Sequence, residues 1–193
     1  LTLRYQYQVK REQAPEMVFA QLLAGFEGAR KDKRIVGLNM VMPEDGAISM
    51  RDYELHMQMV RFLHTLYPDV HITLHAGELN EEVSSPDGLS FHIRDAVMVA
   101  HAERIGHGVD LVHEKNYPQL LQYMADHHIM VEINLSSNEG ILNVQGKDHP
   151  LALYLQYGVP VALSTDDEGV TRDIMTTEYV KALTNHKLDY LTF

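Results

Sequence analysis

Six short apolar runs alternating with helical segments predict an α/β fold built on a parallel sheet. Two observations carry that expectation. The connections between successive runs are long enough to hold a helix, and crossovers of that length bring neighbouring strands together in parallel. In addition, four polar islands each follow an apolar run: His75-Ala76-Gly77-Glu78, Arg104-Ile105-Gly106-His107-Gly108, Leu135-Ser136-Ser137-Asn138 and Ser164-Thr165-Asp166-Asp167. Polar residues gathered beyond the C-terminal ends of strands are how a parallel α/β barrel builds a site.

Taken in order, residues Arg4–Lys10 read as the first strand. Pro15–Lys31 is helical, with proline in the first turn and apolar residues at helical spacing. Arg34–Met42 is apolar and strand-like. Ser49–Tyr67 places Tyr53, Met57, Val60 and Leu63 at intervals of three and four, a helix that Pro68 closes. Val70–Leu74 is the third strand and leads into His75. Asp87–His101 is helical, with Ile93, Val97 and Ala100 on one face. Ala102–Gly106 is a short strand, Pro118–His127 a helix, and Ile129–Leu135 a strand running into Ser136. Asn138–His149, rich in Gly, Asn and Asp, is the most loop-like stretch. Pro150–Tyr157 is a short helix ended by Gly158, Val159–Ser164 the sixth strand, and Thr176–Thr184 the start of a last helix.

The 193 residues fit one domain or most of one, and 45% hydrophobic content is ordinary for a globular core. With 27 acidic and 16 basic residues the net charge is −11. That balance excludes nucleic acid held by a phosphate-neutralising patch and an anionic membrane surface as partners. No apolar stretch approaches the ~20 residues that span a bilayer. There is no cysteine, so disulfides and thiolate metal sites are excluded. The absence fits the cytoplasm without excluding export. The chain opens on Leu1 with no signal pattern, so the natural start is expected upstream. Of the 12 histidines, His113, His127, His128 and His186 lie in polar or helix-end settings that need no functional reading.

The islands carry the chemistry. His75 and Glu78 are three apart, with Gly77 permitting a tight turn that folds the carboxyl back toward the imidazole. A carboxylic acid beside a metal-bound histidine suits hydrolysis, the acid handing on a proton. The same spacing also suits a helix N-terminus with Glu78 favouring the dipole. His107, flanked by glycines, is exposed to a ligand as a general base or metal ligand, or is a turn residue. Asp166 and Asp167 repel one another unless a cation lies beside them; a metal on Asp166 would supply it, leaving Asp167 for a substrate. A helix cap with a solvated neighbour is the plainer alternative.

Together, in this order, the islands resemble the adenosine deaminase family of the amidohydrolase superfamily, closest to its branch of adenosine-deaminase-related growth factors. That branch shares the opening pattern and a stretch like Val36-Gly37-Leu38-Asn39-Met40-Val41-Met42-Pro43-Glu44-Asp45, and matching motifs run from about Arg4 to Asp167. The resemblance implies a (β/α)8, TIM-type barrel and a zinc-dependent hydrolytic deamination of adenosine to inosine and ammonia. It makes His75 and Asp166 zinc ligands and Glu78 the acid that protonates purine N1. His107 becomes the base that deprotonates or orients the attacking water, Asp167 a hydrogen-bond acceptor for the purine at N7, and Met42 the residue whose amide contacts the ring.

Two departures accompany the match. The family's first two zinc ligands form a His-x-His pair, and no such pair occurs here. The chain is therefore expected to supply the third to eighth barrel strands: the C-terminal portion, residues 1–193, of a single metal-dependent hydrolase barrel. Its final helix is expected to be cut short at Phe193, and the fragment alone to be inactive. Its open sheet edges call for the missing N-terminal barrel portion or a second copy. The family also usually carries Gly at Met42 and Asp at Asn39, which leaves the exact nucleoside open. Adenine, a modified adenine nucleoside or AMP is the alternative substrate, and a non-catalytic nucleoside-binding relative the alternative class.

Overall fold

Strand follows helix along nearly the whole length of the computed structural model, which describes residues 2–186 and 188. The strands are β1 (Tyr5–Lys10), β2 (Ile35–Val41), β3 (Thr73–Ala76), β4 (Arg104–His107), β5 (Met130–Ile133) and β6 (Val161–Leu163). All pairings are parallel, β1 with β2 and then β3, β4, β5 and β6 in sequence order. A single bridge between Leu38 and Ile72, with the Leu38 amide donating to the His71 carbonyl at 3.0 Å, joins the two sets. The six expected strands are thus present, parallel and in order.

The helices are α1 (Pro15–Lys31), α2 (Ala47–Leu66), α3 (His92–Met98), α4 (Tyr117–Asp126), α5 (Leu135–Leu142), α6 (Leu151–Gln156), α7 (Glu168–Thr171) and α8 (Met175–Asn185). In α1, Pro15 and Glu16 open the helix and Arg30 and Lys31 close it, as the macrodipole favours. Its buried stripe of Val18, Leu22, Phe26 and Ala29 continues into that of α2, Tyr53, Met57, Val60 and Leu63, through contact between the two helices. Both belong to the core that contains Val9, Leu38, Met40, Leu74, Ile105, Val131 and Ile133 from the strands. Each such side chain, fully buried, contributes about 1.5–3 kcal/mol. β6 has only half-buried residues, as suits the outermost strand. Among the described residues no helix is long and apolar enough to cross a membrane.

Three expectations shift. α3 begins at His92, not Asp87, because its first amides, those of Ile93 and Arg94, are capped by the distant Glu114 carboxylate. The run expected as a loop from Asn138 lies partly in α5, whose Leu135 and Ser136 amides are capped by Glu178. β3 extends through Ala76, so His75 lies inside the strand, opposite Gly106. The expected truncation of the last helix at Phe193 lies outside the described residues.

Candidate active site

Beyond the Leu38–Ile72 bridge β2 and β3 no longer pair backbone to backbone, and polar side chains take over. The His75 amide donates to Asn39 Oδ1 at 2.9 Å, and the His75 carbonyl accepts from Arg11 Nη2 at 2.9 Å. The same guanidinium nitrogen donates to the Met40 carbonyl at 2.8 Å, so a buried arginine ties β2 to β3. The strands part where His75 turns inward, without leaving its backbone groups unsatisfied.

The chain leaves four strands through left-handed residues. φ is 84° at Met42 after β2, 76° at Gly77 after β3, 70° at His107 closing β4 and 54° at Asp166 after β6. Three of these are not glycine, and such conformations cost on the order of 1–3 kcal/mol each and gather at functional sites. Glu44 holds the Gly77 turn: its carboxylate accepts from the Gly77 and Glu78 amides, each at 2.9 Å, and pairs with His92 Nδ1 at 2.6 Å. Burial opposes the Glu44 charge, but the hydrogen bond and charge of His92, with Arg11 nearby, hold the carboxyl down at about 2.

These turns bring the predicted residues together. Donor atoms of His75, His107 and Asp166 all lie within 4.8 Å of one another. The two rings stand 4.7 Å apart, and His107 Nε2 is 3.8 Å from Asp166 Oδ2. Ser137 Oγ donates to Asp166 Oδ2 at 2.8 Å. Glu78 Oε1 lies 3.4 Å from His107 Nδ1. Met42, His75, Glu78, Asp166 and Asp167 line one cavity of about 370 Å³, together with Gln8, Asp45 and apolar residues. Asp167 is exposed and stands at the N-cap of α7, yet its side chain makes no cap hydrogen bond. A larger cleft of about 560 Å³ lies toward the opposite ends of the strands, around His71, Arg104 and Met130, and holds none of these residues.

Burial sets the charges. It holds His75 down to about 3, helped by His107 and Arg11, and His107 down to about 4, so both rings are neutral at pH 7. It pushes the Glu78 carboxyl up to about 8, with Glu44 and Asp166 adding repulsion. Neutral imidazoles can ligate, and a carboxyl that keeps its proton at pH 7 can donate it. The donor set suits zinc. His107 Nε2 and Glu78 Oε1 are buried without a hydrogen-bond partner among the described residues, which leaves both for a guest. Sequence reasoning missed Arg11, Asn39, Glu44, Asn134 and His149 as supports; none sits in a strand-end island.

Strands and site together make a half-open parallel α/β barrel that carries an imidazole–carboxylate cluster at its C-terminal end. The family model for adenosine deaminase matches residues 4–193, and the chain belongs to that family. An adenosine deaminase of Klebsiella pneumoniae is 39% identical over 113 residues, 58% of this chain and 31% of that protein. One from Vibrio cholerae is 36% identical over 111 residues, 57% of this chain and 30% of that protein. Among solved structures, the N6-methyl-AMP deaminase of Arabidopsis thaliana in its apo form superposes with a TM-score of 0.69 at 22% identity, covering 97% of this chain and 50% of that one. An adenine deaminase of Arthrobacter aurescens gives 0.66 at 20% identity, covering 94% and 50%. The matches thus span about a third of the curated relatives and about half of the solved barrels.

Proposed function

We propose that residues 1–193 are the C-terminal portion of a zinc-dependent barrel hydrolase that deaminates adenosine, or a closely related adenine nucleoside, to inosine and ammonia. The observation that carries this reading is the meeting of His75, His107 and Asp166 within 4.8 Å beside a carboxyl that keeps its proton. Zinc held by His75 and Asp166, with further donors from outside this chain, would acidify the attacking water.

The chain's own residues supply the rest. Asn39 fixes the His75 ring at Nδ1, leaving Nε2 for the ligand. Ser137 fixes one oxygen of Asp166. His107, fully buried with its unpartnered Nε2 3.8 Å from Asp166 Oδ2, would hold the water in line. Glu78, protonated at neutral pH, delivers its proton to purine N1, which keeps negative charge from building on the ring as C6 is attacked. Asp167 accepts from the purine at N7, and Met42 offers its amide at the cavity rim.

The cavity lining favours a neutral nucleoside over a nucleotide. It contains Asp45, Glu78, Asp166 and Asp167, with Gln8 and His75, and neither lysine nor arginine, so a phosphate would find no cationic side chain among these residues. Zinc content by elemental analysis and ammonia release from adenosine, AMP, adenine and N6-methyladenosine, all on the full-length protein, test the proposal. Deamination of adenosine in preference to AMP is expected. Release from none of the four would refute it.

A further inference from the structure

His149 is buried and plays no part in the chemistry above, yet its ring sits at one end of a hydrogen-bond chain that reaches His107. The Leu151 backbone amide donates to His149 Nδ1 at 3.1 Å. A backbone amide can only donate, so Nδ1 is the bare nitrogen and the neutral ring carries its proton on Nε2. Turning the ring over would lose both of its contacts. His149 Nε2 meets Asn138 Oδ1 at 3.2 Å, and the proton there makes that amide oxygen the acceptor. Asn138 is thereby oriented, and its Nδ2 donates to His107 Nδ1 at 2.9 Å. Asn134 Nδ2 approaches the same nitrogen at 3.3 Å. With Nδ1 accepting, the proton of His107 must be on Nε2, the nitrogen that faces Asp166.

We propose that His149 and Asn138 are positioning residues that lock His107 in its Nε2–H tautomer, so that His107 offers the site a hydrogen-bond donor and not a base. A donor at that point holds a developing hydroxide in place, and the proton that the water loses must go to a carboxylate, of which Asp166 is the one facing Nε2. This catalytic consequence rests on the deaminase reading; the tautomer itself does not.

The test is ring-nitrogen NMR on chelator-treated full-length protein carrying 15N-labelled histidine, with the His107 signals assigned by loss in His107→Asn. A bare Nδ1 and a protonated Nε2 are expected, and a protonated Nδ1 would overturn the proposal. Asn138→Asp keeps the acceptor for His149 but presents an oxygen to His107, which should move the proton to Nδ1. kcat should then fall by roughly 10²-fold or more, toward the ~10⁴ that a wrong imidazole tautomer costs a serine protease, with KM within about twofold. His149→Phe frees Asn138 to turn over and should give mixed tautomers with a smaller loss of kcat. A loss of kcat in either variant with the tautomer unchanged would overturn the mechanism. The expected tautomer in a wild-type protein that releases no ammonia would support the locked ring while refuting the deaminase reading.

Discussion

Replacing Glu78 by glutamine should make the protein more stable and nearly inactive at once. The unfolded carboxyl titrates near its ordinary value of 4.5, and the folded one near 8. Between those values the unfolded chain has released the proton and the folded chain still holds it. The unfolded state then binds fewer protons, so stability falls as pH rises, by about 1.4 kcal/mol per pH unit. By pH 7 about 3 kcal/mol has been lost. Glutamine keeps the shape and never charges, so Glu78→Gln should be about 3 kcal/mol more stable than wild type at pH 7 and equal to it near pH 4. Urea unfolding of the metal-free full-length protein at both pH values measures the difference, since a nearby cation would relieve the repulsion. In the zinc-loaded enzyme the same change should lower turnover by roughly two or more orders of magnitude, the usual scale for general acid catalysis. Wild-type turnover should also fall on the alkaline side as the acid loses its proton, at a pH below the metal-free value because a nearby cation favours the carboxylate. A stability gain of the same size at pH 4 and pH 7, or near-normal turnover in Glu78→Gln, would refute the assignment.

Asp166→Ala should lose both zinc and turnover, read by elemental analysis after dialysis; retained stoichiometric zinc would remove Asp166 from the ligand set. Asn39→Asp should tighten zinc by roughly tenfold, because it replaces the amide nitrogen 2.7 Å and the amide oxygen 3.0 Å from His75 Nδ1 by two carboxylate oxygens, which hold the proton on Nδ1 and leave Nε2 the ligand. A zinc titration showing unchanged or weaker affinity in a folded variant would contradict that. Met42→Gly should relieve the 84° backbone and widen the cavity, raising kcat/KM for N6-methyladenosine relative to adenosine by roughly tenfold; an unchanged ratio would show that the side chain does not bound the substrate. The 193-residue chain expressed alone presents outer edges on β1 and β6 that are unpaired among the described residues. It should self-associate on size exclusion, and a cooperative 22.0 kDa monomer would disprove this.

The strands and α1 were legible because each is a local pattern, an apolar run between turn signals or a proline-started amphipathic stripe. The islands were legible for a related reason: His75, His107 and Asp166 each stand at or just beyond the last pairs of a strand. What lay hidden depends on partners far along the chain. The start of α3 is decided by Glu114, 21 residues from Ile93. The Gly77 turn is held by Glu44, 33 residues before it, and His75 by Arg11, 64 residues before it. Residues this distant leave no periodicity, and a lone glutamate after Met42-Pro43 gives no sign that it caps a turn on the next strand. Asn138 was visible as part of an island, but the loop expected after it hid the fact that α5 aims its amide at His107.

The left-handed strand exits and the remote clamps explain each other. An inward-turned His107 or Asp166 cannot be exchanged for glycine without losing its side chain, so the strain of a positive φ stays wherever the chemistry needs a donor. Something must therefore hold each turn. Tyr154 Oη does so after β4, donating to the Gly108 carbonyl at 2.7 Å, and Ser164 Oγ does so after β6, accepting from the Asp166 amide at 3.1 Å. After β3 the strained position is a glycine, and the clamp is a buried carboxylate on two amides. That carboxylate is also, after burial itself, the first of three neighbouring charges, with Asp166 and Asp167, that keep the Glu78 proton in place. The group that shapes the turn thus also tunes the acid on it, which couples the geometry of the β3 exit to the proton that the proposed reaction spends.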